Sequence, residues 1–100
     1  MKKTCHIKNI YALVNKKWIF QTLCCFKDNK KHRFTEILKM LKHISTKTLS
    51  ERLFELVENQ ILEKKEFNEK PPKVEYKLTK KGKELLNALE PLEEWAEKWM

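Results

Sequence analysis

Residues 45–82 read STKTLSERLFELVENQILEKKEFNEKPPKVEYKLTKKG, and the reading of this stretch decides the fold. From Thr46 to Asn59, Leu49, Leu53, Leu56 and Val57 recur at i, i+4, i+7 and i+8, the buried stripe of an amphipathic helix. Ser45 before it is a suitable N-cap, because its hydroxyl accepts from amides the first turn leaves free. Ile61 to Asn68 and Val74 to Leu78 alternate with period two, as a hairpin does. Between them lies Lys70-Pro71-Pro72-Lys73. Neither proline donates a backbone hydrogen bond, so both belong at the tip and not in the ladder. A helix followed by a basic-tipped hairpin is the second half of a winged helix-turn-helix. Such a unit offers duplex DNA a helix for the major groove and a charged wing for the flanking backbone.

Outward from this stretch, Phe34, Ile37, Leu38 and Leu41 repeat at helical spacing and supply the first helix of the helix-turn-helix. Lys42-His43-Ile44 is the turn, with Ile44 tucked inward, and Arg33-Phe34 is placed as a short strand at the base of the wing. Trp18 to Phe26 is nearly all apolar and predicts a buried helix, with Cys24 and Cys25 read as core residues. Ile7, Ile10, Tyr11, Leu13 and Val14 form a shorter helical stripe before it. After the hairpin, Thr79 caps a last helix from about Lys80, whose stripe is Leu85, Leu89, Leu92, Ala96 and Trp99, widened by Trp95. Pro91 removes one backbone hydrogen bond and predicts a kink. The fold class expected is α+β, mainly α: one winged helix-turn-helix domain over residues 1–100 with extra N- and C-terminal helices.

The formal net charge is +8, which suits a polyanionic partner. Its distribution is more telling: residues 1–50 hold 12 Lys/Arg against 2 Asp/Glu, residues 51–100 hold 10 against 12. A surface merely solvated by lysine gives no such asymmetry. The apolar runs are too short to span a bilayer, and no apolar run with a small-residue cleavage site follows Met1-Lys2-Lys3. Three cysteines make no disulfide framework, so a reducing cytoplasm is expected. His6, His32 and His43 add no zinc-ligand spacing to these cysteines, so no metal and no cofactor is expected. No nucleotide loop and no nucleophile beside a base points to an enzyme.

Several blocks resemble the HxlR-type winged helix-turn-helix transcriptional regulators. They are Cys5, Ile7, Leu13, Val14, Lys17 and Trp18 near the start; Arg33-Phe34-Thr35-Glu36-Ile37; Ile44 to Leu53 with Glu55-Leu56; and Pro71 to Tyr76, Leu78-Thr79 and Gly82. Order and spacing both fit, over nearly the whole chain. The sequence departs from the family pattern where His6 replaces proline, Asn15-Lys16 replaces Gly-Gly, Lys42-His43 replaces Pro-Gly, and Asn59-Gln60 replaces Asp-Gly. The resemblance implies a regulator of transcription, and an N-terminal cysteine that in some members senses oxidants or electrophiles. Cys5, beside His6 and Lys2-Lys3, is the candidate, since neighbouring cations favour the thiolate; an ordinary half-buried thiol is the competing reading.

The candidate DNA contacts are Ser45, Thr46, Lys47, Thr48, Ser50, Glu51 and Arg52 on the recognition helix, with Lys70 and Lys73 on the wing. Lys47 suits guanine acceptors and Glu51 suits the cytosine amino group. Ser45 and Thr46 at the helix N-terminus suit a phosphate. Arg52 on the flank suits a phosphate or an ion pair with Glu55 or Glu36. Lys47, Thr48, Glu51, Glu55 and Glu58 are expected to point outward. The partners expected are double-stranded DNA and a second copy of the chain, with no membrane. The dimer interface would be built from Ile7, Ile10, Tyr11, Val14, Leu85, Leu89, Leu92, Trp95 and Trp99, leaving Glu90, Glu93, Glu94 and Glu97 on the outer face. A protein-interaction module that does not bind DNA is the alternative.

Overall fold

The computed structural model describes residues 6–100, apart from the side chain of Ile7. Helices α1 (His6–Val14) and α2 (Ile19–Cys24) lead to strand β1 (His32–Arg33) and helix α3 (Phe34–Met40). Helix α4 (Thr46–Glu58), strands β2 (Leu62–Phe67) and β3 (Lys73–Leu78), and helix α5 (Lys80–Trp99) complete the order. The three strands form an antiparallel sheet with β3 in the centre, flanked by β1 and β2. This is a winged helix-turn-helix with helices added at both ends.

The core joins α2 and the turn after it through Ile19, Leu23 and Phe26, α3 through Ile37, and α4 through Leu49, Leu53 and Leu56. Leu62, Tyr76 and Leu78 close it from the sheet and Leu86 from α5. Each of these aliphatic side chains, taken from water, contributes roughly 1.5–3 kcal/mol before conformational entropy is set against it. Ile44 is buried as expected, directly after the α3–α4 turn. Cys24 and Cys25 sit at the margin of this core, half-buried, because α2 turns its Ile19, Thr22 and Leu23 side inward.

Two boundaries differ from expectation. The short strand is His32–Arg33, and Phe34 already opens α3. Arg33 is the extended N-cap of that helix, and its backbone N–H donates to Glu36 Oε1 at 2.7 Å, so the chain turns helical one residue earlier. Strand β3 likewise begins at Lys73, before Val74. Helix α5 continues through Pro91 to Trp99, so the proline removes a hydrogen bond without ending the helix.

Among the described residues, four other than glycine adopt a left-handed backbone: Trp18, Asn29, His43 and Gln60. His43 (φ 76°) makes the turn into α4, and Gln60 (φ 61°) ends the connection out of it. Gly82, by contrast, is required by space, since a Cβ there would lie 2.1 Å from the Ile61 carbonyl oxygen. That close approach lets the first turn of α5 pack onto the connection between α4 and β2.

Candidate nucleic-acid interface

Helix α4 presents two opposed faces. Leu49, Leu53 and Leu56 are buried, while Thr46, Lys47, Ser50, Glu51, Phe54 and Glu58 are exposed. The cap works as the sequence predicts: Ser45 Oγ accepts from Thr48 N at 3.0 Å. It also donates to Thr48 Oγ1 at 2.9 Å. Thr48 is thereby half-buried against the cap and leaves the outward stripe. The other first-turn amides of α4 point out of the helix end with no partner inside it, a natural place for a phosphate.

Arg52 and Glu55 turn away from this face. Arg52 Nε donates to the Lys17 carbonyl at 2.8 Å, and its Nη1 donates to Glu55 Oε1 at 2.7 Å. Glu55 also pairs with Lys16. Burial raises the Glu55 pKa, but the Lys16 and Arg52 hydrogen bonds and charges outweigh it and leave it lowered. The expected outward position of Glu55 is therefore corrected, and Arg52 takes the ion-pair role that was its alternative. The signal missed in the sequence was the Lys16-Lys17 linker, which meets the flank of α4 in space and not in register.

At the wing, Lys70 is exposed beside Pro71 and Pro72. Lys73 is drawn back instead: its Nζ lies 3.3 Å from Glu75 Oε2 and 4.7 Å from the centre of the Phe67 ring. Lys31 approaches Glu75 from the other side at 3.6 Å. Burial of Glu75 raises its pKa, but the Lys73 hydrogen bond and the two lysine charges win, and the net shift is downward.

The terminal helices divide the residues expected at a dimer interface. Val14, Leu85 and Leu89 pack on the chain's own core and are half-buried, as is Ile10. Tyr11 is 60% exposed, Leu92 64%, Trp95 55% and Trp99 66%. Of the acidic residues, Glu93 does not face outward freely, since its Oε1 accepts from Lys27 Nζ at 2.7 Å. Cys5 and the Ile7 side chain lie outside the described residues. No helix among the described residues is long and apolar enough to cross a membrane.

Residues 13–100 match the sequence pattern described as HxlR-like helix-turn-helix. The chain belongs to this family. It is a DNA-binding transcriptional regulator of the helix-turn-helix type. The HTH-type transcriptional regulator YodB of Bacillus subtilis is 36% identical to it, over 93% of this chain and 82% of the relative. An uncharacterised HTH-type regulator of Halalkalibacterium halodurans is 38% identical, over 87% of this chain and 77% of the relative. Among solved structures, reduced YodB superposes with a TM-score of 0.84 at 33% identity, covering 98% of this chain and 95% of that one. The redox regulator HypR in its oxidised form gives a TM-score of 0.84 at 28% identity, over 96% and 98% of the two chains.

Proposed function

We propose that this HxlR-like regulator is a single domain that binds duplex DNA as a homodimer. Helix α4 lies in the major groove, and the β2–β3 hairpin lies on the flanking backbone. The observation that carries this is the outward stripe of α4, Lys47, Ser50 and Glu51, exposed together with a wing tip that holds Lys70 in solvent. Lys47 donates to guanine acceptors and Glu51 accepts from cytosine. Thr46 and the first-turn amides take a phosphate, with Ser45 as the cap behind them. The exposed Tyr11, Leu92, Trp95 and Trp99 supply the surface for the second copy. A mobility-shift series tests the binding mode. Log affinity falls with log salt at about 0.9 per phosphate neutralised, and Lys47→Ala relaxes preference at one base position by about 1–3 kcal/mol. Affinity indifferent to salt and to Lys47 rejects the reading.

A response to oxidants through Cys5 is the second part of the proposal, supported by the likeness to proteins described as redox regulators. The other two thiols suit that role poorly: burial raises both, Cys25 to about 11, so little thiolate forms at neutral pH. Diamide is expected to change operator affinity in the parent and not in Cys5→Ser. A response that survives Cys5→Ser excludes this thiol.

A further inference from the structure

Phe54 is the one side chain on the outward stripe of α4 that has no hydrogen-bonding group. It is 64% exposed, with Ser50 and Glu58 one turn away on either side along the helix. Seven residues separate it from Lys47, nearly two full turns, so both project from the same side of the helix, about 10 Å apart along its axis. That distance is about three base steps of a duplex lying along the helix. Two flanking polar residues, Arg52 and Glu55, are drawn away from this stripe by the Lys16-Lys17 linker. An aromatic ring on a groove-facing helix reads the one apolar feature of the major-groove edge, the thymine 5-methyl group.

We propose that Phe54 is a specificity-determining residue that packs on the 5-methyl of a thymine about three base pairs from the pair contacted by Lys47. This rests on the DNA-binding reading above and adds to it a base identity. Phe54 is itself part of the lining of a concavity between α4 and the sheet, where Phe34, Leu53, Val57 and Tyr76 are interspersed with Ser50, Glu58 and Lys64.

The test begins with a duplex selected from a random pool by the parent protein. Each thymine is then replaced singly by deoxyuridine, which deletes the methyl and leaves every hydrogen-bonding group in place. The parent is expected to lose about fourfold in affinity at one thymine of each half-site, the equivalent of one buried methyl group. Phe54→Ala is expected to bind the thymine and deoxyuridine duplexes equally, whereas Phe54→Leu keeps part of the difference. Because the ring is exposed, neither variant disturbs the core, and unchanged thermal unfolding verifies this. A parent indifferent to every deoxyuridine, or a penalty that persists in Phe54→Ala, overturns the role of Phe54 while leaving DNA binding intact. Failure of the parent to select any duplex overturns both.

Discussion

At His43 and Gln60 the backbone is left-handed although neither residue is glycine, and each carries a cost of about 1–2 kcal/mol. Glycine would relieve that strain but lose more entropy on folding, about 0.5–1 kcal/mol. The expected net result is that His43→Gly and Gln60→Gly each stabilise by about 0.5–1 kcal/mol, seen as a Tm higher by a few degrees. A lower Tm for both shows that the imidazole or the amide makes a compensating contact. Glu75 supplies a second residue-scale expectation. Its folded pKa lies below the ordinary glutamate value, so its contribution is present above the unfolded pKa and is lost as pH falls through the folded one. Urea midpoints measured from about pH 6 down to about pH 3 should fall less steeply in Glu75→Gln than in the parent. Parallel curves mean that the lysines around Glu75 do not depend on its charge.

Among the elements, the wing separates two lysines that the sequence treats alike. Lys70 is exposed at the tip, whereas Lys73 is held by Glu75 and Phe67. Lys70→Ala should therefore lower the salt slope of DNA binding by about 1, and Lys73→Ala should change it less. The reverse order would show that Lys73 leaves Glu75 when DNA arrives. The same pair marks how far the sequence could be read. Helix periodicity and the double proline were enough to locate α4, the hairpin and the cap at Ser45, because those signals are local. The inward turn of Arg52 and Glu55 depends on Lys16 and Lys17, more than thirty residues away. No spacing rule contains that information. Phe54 lies off the Leu49, Leu53, Leu56 and Val57 stripe, so helical spacing alone already turns it outward; what the structure adds is the extent of its exposure.

For the whole molecule, the exposed second half of α5 predicts assembly. The parent is expected to sediment as a dimer at micromolar concentration, and Leu92→Glu or Trp95→Glu to disperse it to the 12.2 kDa monomer. A monomeric parent rejects the interface. A two-fold dimer would set two α4 helices about 34 Å apart, one DNA turn, so that half-sites repeat as an inverted palindrome. Helix α5 is fastened to α4 at its root, where Lys81 Nζ donates to the Asn59 carbonyl at 2.8 Å and Thr79 Oγ1 to the Gln60 carbonyl at 2.6 Å. Gly82 lies flush against Ile61 at the same place. With 20 residues, α5 reaches about 30 Å from that root. It is a lever with its fulcrum at the reading head: a tilt of about 10° at the root corresponds to a travel of about 5 Å at the far end, more than the 3.4 Å between base steps. In a two-fold dimer, the angle at which the two copies clasp each other would thus set which operator spacings they fit, with a tolerance of only a few degrees.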